Sequence, residues 1–271
     1  MPEPTNSSWS ALQDEKKDQK ILKPDDIFKP IKQAYKRKGL KIGIWGPPET
    51  GKTYFGLSAP PPIFVISTEQ GVTQVAHHFP NKDIRIVETL SLKPDLEGVL
   101  QADPVESLEN VEKAISSIKD ITEGTIVIDS LSDIWDWVQF WMEATAIGKD
   151  KRSDGGVFQW AYGRANERYK YLLLKCISRP THFVGIARTK PIYAGNQDTG
   201  AKDARWQKDT PFMLDIIIAL KKILQGTTVS YMSTIEKCRF NRMFDATKEN
   251  ITFAVLVKAL EGKLPADVIP K

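Results

Sequence analysis

Eight consecutive residues, Gly46-Pro47-Pro48-Glu49-Thr50-Gly51-Lys52-Thr53, repeat the spacing G-x-x-x-x-G-K-T of a phosphate-binding P-loop. The residue types explain what such a stretch does. Backbone N–H groups around Thr50 to Thr53 can turn inward onto phosphate oxygens, helped by the positive end of a following helix. Gly51 lets the backbone come close to the ligand. The Lys52 ammonium can reach β- and γ-phosphates, and the Thr53 hydroxyl can sit on Mg²⁺. Pro47 and Pro48 have no N–H and only shape the early loop. Gly46 through Thr53, with the adjoining Tyr54, are the nucleotide-binding candidates. A chance match in a glycine-proline turn is the plain alternative, and the flanks argue against it. Ile42-Gly43-Ile44-Trp45 suits a buried strand, and Tyr54 to Ala59 suits a short helix stopped by Pro60-Pro61-Pro62.

Two carboxylates complete the candidate chemistry. Asp129 ends the apolar run Thr125-Ile126-Val127-Ile128. At a strand end beside a P-loop, a carboxylate holds the water shell of Mg²⁺ and the P-loop hydroxyl. Its structural alternative is a cap on the next helix. Glu69 follows a second apolar run, Ile63-Phe64-Val65-Ile66-Ser67. In a parallel sheet its strand is expected beside the P-loop strand, where Glu69 can orient or deprotonate an attacking water. A solvated turn residue is the alternative.

The elements that must position these groups alternate. After the P-loop helix and the second strand come a short helix from Val72 to Phe79 and a strand at Ile84–Val87. A loop then runs over 88–104, and a helix spans Val105 to Lys119 with apolar residues at helical spacing. The Asp129 strand leads into a helix over 131–145 carrying Trp135, Trp137 and Trp141, a stripe that reads as packing. A basic, glycine-containing loop over 146–156 precedes a long helix from Val157 to Ser178. Thr181 to Ala187 is a further strand, ending at Arg188. A second long polar loop is expected over 190–211. Leu214–Leu220 and Val229–Glu236 read as strands joined near Gly226, and Thr252–Leu260 as a closing helix. This alternation implies an α/β fold, a mostly parallel sheet with helices on both faces.

Composition sets the bounds. The chain has 271 residues and a net charge of +4, from 38 Lys and Arg against 34 Asp and Glu, which permits a polyanionic partner without requiring one. Cys176 and Cys238 show no metal-ligand spacing and fit a reducing, intracellular, cytoplasmic setting. No apolar segment opens the chain as a secretory signal would, and no apolar run is long enough to span a membrane. Residues 1–40 form a polar arm, expected to be loosely ordered, with a basic end at Lys29, Lys32, Lys36, Arg37, Lys38 and Lys41. That basic end is read as a solvated helix face or as a nucleic-acid or subunit-docking arm. A core is expected over 41–264 and a tail over 265–271.

Taken together, Gly46–Thr53, Ser67-Thr68-Glu69-Gln70-Gly71 and Ile126-Val127-Ile128-Asp129-Ser130 resemble the RecA-like P-loop ATPase core. The branch this resembles is that of the compact phage and archaeal RecA/RadA-like ATPases, including single-strand-annealing proteins of phage recombination. The resemblance spans about residues 40–260 and implies an ATPase using ATP and Mg²⁺, encoded by a cell or by a virus. It makes Glu69 the catalytic glutamate and Asp129, with Thr53, the metal-holding pair. Arg188 falls at a polar sensor position, where relatives active in strand exchange carry an amide. Lys237 and Arg239 are similar to a Lys-x-Arg pair that reaches a neighbouring subunit's nucleotide, which implies a homo-oligomer, ring or filament. A separate N-terminal DNA-binding domain like that of larger recombinases is not expected. The two polar loops occupy the places of DNA-binding loops, which makes Lys149, Lys151, Arg152, Lys202, Arg205 and Lys208 candidates for single-stranded DNA. Spacing adds that Lys237 and Arg239 share one face of a strand without a carboxylate partner in the local sequence. A solvated edge-strand pair is their alternative. DNA recombination, repair or annealing is the favoured task. A viral or plasmid DNA motor and a KaiC-like regulatory switch that never touches DNA are the competitors.

Overall fold

The computed structural model describes residues 39–146, 150–152, 156–225, 228–240 and 247–261. The chain divides into two units, 1–36 and 37–271, and all of these residues belong to the second. The polar arm, except for its last two positions, lies outside them, as do Lys149, the turn at Gly226 and the C-terminal tail.

Alternation of side chains along the strands builds the fold. In β1 (Lys41–Trp45), Ile42 and Ile44 enter one apolar cluster while Trp45 enters another. In β6 (Thr125–Asp129), Val127 joins the first cluster and Ile126 and Ile128 the second. A strand buried on both faces needs such a continuous apolar run, and its two-residue period feeds two cores at once. The first core is closed by α1 (Lys52–Leu57), through Phe55 and Leu57, and by α7 (Phe253–Ala259), through Phe253 and Leu256. The second is closed by α3 (Pro104–Ser117), α4 (Leu131–Ala144) and α5 (Tyr162–Ile177), with Leu108, Val111, Trp137, Val138, Tyr169 and Leu172 inside it.

Strand order explains where the chemistry falls. With β2 (Ile63–Ser67), β3 (Ile84–Glu88), β7 (His182–Ala187), β10 (Ile216–Gln225), β11 (Thr228–Cys238) and β12 (Thr247–Glu249), the sheet runs β12-β11-β10-β1-β7-β6-β2-β3. From β10 to β3 every pairing is parallel, and β11 and β12 add antiparallel. The expected mostly parallel sheet with helices on both faces is therefore the observed one. The strand before Glu69 is not beside the P-loop strand: β7 and β6 lie between β1 and β2.

Other expectations are corrected. The stretch 88–104 contains a small hairpin, β4 (Leu92–Pro94) with β5 (Leu100–Ala102). The second polar loop is also a hairpin, β8 (Thr189–Ala194) with β9 (Gln197–Ala204), followed by α6 (Thr210–Met213). Gly195 sits at its turn with φ 63°, a conformation that costs glycine little. Polar composition hid these strands because both hairpins stand off the core and bury little. The helix after Gly71 is only α2 (Val72–Ala76). The one before β7 opens as a 3₁₀ turn at Gln159–Ala161. Lys41, expected on a basic arm, is fully buried in β1, its ammonium bonded to the carbonyls of Arg179 (2.8 Å) and Thr181. Among the described residues no helix is long and apolar enough to cross a membrane.

Candidate nucleotide site

The P-loop joins β1 to α1 at the carboxyl end of the parallel strands, where open α/β sheets hold their ligands. Gly46 is required there by space, since a Cβ on it would stand 2.6 Å from the Leu220 carbonyl oxygen of β10. Gly51 is required by conformation, with φ 88° at the entry to α1. Thr50 is buried and its hydroxyl donates to the Pro47 carbonyl at 2.8 Å, closing the loop. The Lys52 ammonium folds back over the loop, donating to the carbonyls of Gly46 (2.9 Å) and Pro47 (2.6 Å). Burial draws the Lys52 pKa below its usual value, while Asp129 and Glu69 oppose that shift. Glu49 points outward to an ion pair with Lys222 at 3.1 Å.

Thr53 and Asp129 meet as the sequence reading required. The Thr53 hydroxyl donates to Asp129 Oδ2 at 2.7 Å. Asp129 is 6% exposed, and burial pushes its carboxyl up to about 6, against the Thr53 hydrogen bond, with Glu69 adding to the rise. The capping alternative for Asp129 is not what the fold uses, because Ser130 caps α4, accepting from the Asp133 N–H. A hydroxyl and a buried carboxylate side by side are hard oxygen donors, and a divalent cation would supply the charge that burial withholds from Asp129. No group of three or more His, Cys, Asp or Glu that could cage a metal exists among the described residues. Mg²⁺ takes one or two protein ligands and completes its shell with phosphates and water, and Thr53 with Asp129 offers that many oxygen donors.

Glu69 reaches this site although two strands, β7 and β6, separate its strand from β1. Arg188, directly after β7, donates Nε and Nη2 to Glu69 Oε1 at 3.0 and 2.9 Å. The same guanidinium forks onto Asp133, Nη1 to Oδ1 at 2.9 Å and Nη2 to Oδ2 at 3.0 Å. Burial opposes the Arg188 charge, but Asp133 and Glu69 outweigh it and hold the group above its ordinary pKa. Lys52, Thr53, Glu69, Asp129 and Arg188 thus form one cluster. Asp133 belongs to it and was missed in the sequence. The spacing Ser130-Leu131-Ser132-Asp133 marks it as a capping-box residue at a helix start, but not as the partner of Arg188.

Beside the loop lies a cleft of about 710 Å³ lined by Thr50, Gly51, Tyr54, Leu220, Tyr231, Asn250, Ile251 and Thr252, among others. Of these, only the P-loop residues and Tyr54 were singled out in the sequence. The rest come from β10, β11 and the approach to α7, and nothing in their local spelling marks them.

Lys237 and Arg239 lie elsewhere. Cys238 pairs with Ile216 at the start of β10, whereas Trp45, the last residue before the P-loop, pairs with Ala219. The pair is therefore at the opposite end of the strands from its own phosphate loop. The carboxylate partner absent from the local sequence is Asp215, whose Oδ1 lies 3.2 Å from Arg239 Nη1. Arg239 also donates to the Phe212 carbonyl, and Lys237 to those of Pro211 and Leu214 (2.8 Å).

Of the described DNA candidates, Lys151, Arg152, Lys202 and Lys208 are exposed. Arg205 is held by Asp136 at 2.7 Å. Just after Val157, which bridges Lys151, Phe158 and Trp160 stack at 6.3 Å with planes 17° apart, both about half-exposed.

A family model of the AAA domain (AAA_24) matches residues 38–223, which span the P-loop, Glu69, Asp129, Asp133 and Arg188. No curated protein matches the chain. Among solved structures it is similar to the RadB recombinase, at 15% identity and TM-score 0.46, covering 78% of this chain and 86% of that one. It is also similar to a KaiC-like protein of the hyperthermophilic archaeon Pyrococcus horikoshii OT3, at 13% identity and TM-score 0.42, covering 78% and 84%.

Proposed function

The chain belongs to the AAA domain family, and from that premise we propose that it binds ATP with Mg²⁺ and hydrolyses the terminal phosphate with water. The observation that carries this is the contact between Thr53 and Asp129 at 2.7 Å, made beside the Lys52 ammonium and within the field of Glu69. Thr53 and Asp129 would hold the Mg²⁺, which supplies positive charge to the β- and γ-phosphate oxygens. Lys52 exchanges its loop carbonyls for phosphate oxygens and neutralises charge that builds there. Glu69 orients the water and takes its proton as the oxygen bonds to phosphorus and the bond to the β-phosphate breaks. Tyr54, Leu220, Tyr231 and Ile251 give the neighbouring cleft the apolar lining that suits a nucleobase.

Glu69→Gln tests the assignment. It should keep ATP affinity and lower turnover by roughly 10²-fold or more. If affinity collapses together with rate, Glu69 serves the fold or the metal and not the water.

The task proposed for this ATPase is work on single-stranded DNA, in recombination, repair or annealing. Its support is the stacked, exposed Phe158 and Trp160 on the segment that bridges back to Lys151, with Arg152 next to it in the chain, since aromatic faces and cations together form a platform for unpaired bases. The competing reading, a regulatory ATPase that meets protein and not DNA, has its own support. The β8–β9 hairpin balances Lys190 and Lys202 with Asp198 and Asp203, and Arg205 is already paired. Binding to a single-stranded oligonucleotide that weakens steeply with salt favours the first reading; no binding at low salt leaves the second.

A further inference from the structure

We propose that Asp133 is the positioning residue of the hydrolytic site, anchoring the candidate water-activating Glu69 from two sides. The first side is the side chain. Asp133 takes both terminal nitrogens of Arg188 at 2.9 and 3.0 Å, and this geometry fixes the plane of the guanidinium. Arg188 has little other freedom, because its N–H donates to Ser132 Oγ at 2.9 Å and its carbonyl accepts from the Arg205 N–H at 2.7 Å. So fixed, the guanidinium presents Nε and Nη2 to a single oxygen of Glu69, Oε1. Among the described residues Oε2 takes no hydrogen bond, which leaves it to meet a water.

The second side is the backbone. The hydroxyl of Thr68, the residue before Glu69, donates to Asp133 Oδ2 at 2.7 Å and accepts from the Ser130 N–H at 2.7 Å. The Thr68 N–H donates to the Asp129 carbonyl at 2.7 Å. Asp133 therefore ties the end of β2 to α4, next to the Thr68 bonds that join it to the end of β6, and also holds the arm that aims Glu69. The residue is nearly buried, while Arg188 and Glu69 are each 44% exposed at their side chains. An ion pair that open to solvent has little hold of its own. The buried member of the trio is thus the one that sets the geometry.

The kinetic part of this inference rests on the ATPase reading; the structural part does not, and the test separates them. Asp133→Asn keeps an acceptor for Thr68 and removes the charge that holds Arg188. In the nucleotide-free protein, hydrogen exchange at the Arg188 Nε–H, followed by NMR, should quicken at least tenfold in Asp133→Asn. Unchanged exchange overturns the proposal whatever the ATPase data say. With nucleotide, Asp133→Asn should keep the ATP dissociation constant within about twofold, because Lys52 and Thr53 are untouched, and lower kcat at least tenfold. Adding Arg188→Ala to Asp133→Asn should cost little more than Arg188→Ala alone. Additive losses, or a loss of affinity matching the loss of rate, overturn the positioning role. Absence of hydrolysis in the wild-type protein, with the exchange effect present, overturns the ATPase reading and leaves the anchor standing.

Discussion

At the scale of single residues, burial decides which groups are poised and which are merely enclosed. His182 at the start of β7 is of the second kind. Its Nδ1 accepts from the Leu40 N–H at 3.1 Å and its ring packs edge-on against Phe253. Burial, with Lys41 nearby, lowers its pKa from 6.5 to about 4. The folded state therefore resists a proton that the unfolded chain accepts. The stability this gives is complete above pH 6.5 and is lost as the pH falls toward 4. Asp129, raised to about 6, acts in the opposite sense over part of that window, so the comparison must be with His182→Asn. The wild-type advantage in unfolding free energy should shrink by about 2 kcal/mol between pH 7.5 and pH 5. An advantage that does not change with pH would contradict this. The contiguous motif Gly46 to Thr53, which forms the loop between β1 and α1, was legible in the sequence. Asp133 for Arg188 and Asp215 for Arg239 were not, because each partner lies tens of residues away and the pairing exists only after the sheet has formed.

At the scale of elements, strands buried on two faces were readable and strands standing in solvent were not. The Ile42–Trp45, Ile63–Ser67 and Thr125–Asp129 runs announced themselves by unbroken apolar character. The β8–β9 hairpin, largely exposed along both strands, has a loop's composition, and only its backbone pairing makes it a ribbon. Strand order was also beyond the sequence, since β7 slots between the P-loop strand and the Asp129 strand from far along the chain. The candidate DNA surface belongs to this scale. Replacing Lys151, Arg152, Lys202 and Lys208 by Gln removes exposed cations without touching either core. Each lost phosphate contact should reduce the salt slope for single-stranded DNA by about 0.7. An unchanged slope would remove these segments from any nucleic-acid role.

At the scale of the whole molecule, the sheet separates two sets of cations. Lys52 and Arg188 stand at the P-loop end of the strands and Lys237 and Arg239 at the other, so the second pair does not face its own P-loop. If they act on phosphate at all, they act on that of a neighbouring copy, in a head-to-tail assembly. Specific ATPase activity should then rise with protein concentration. Mixing Lys52→Ala subunits with Arg239→Ala subunits should restore part of the activity that each lacks alone, because some mixed interfaces join an intact loop to an intact arginine. A concentration-independent enzyme that tolerates Arg239→Ala would leave the pair as a tie to Asp215 and the carbonyls around it. The central claim is more basic than assembly: the loop, Thr53 and Asp129 form a working Mg²⁺-ATP site. The most direct measurement is phosphate release from ATP by the purified chain, with Mg²⁺ or with excess EDTA, for wild type and Lys52→Ala. Turnover should need Mg²⁺ and fall to background in Lys52→Ala. Release that persists undiminished in Lys52→Ala, or none from the wild type under any condition, would contradict it.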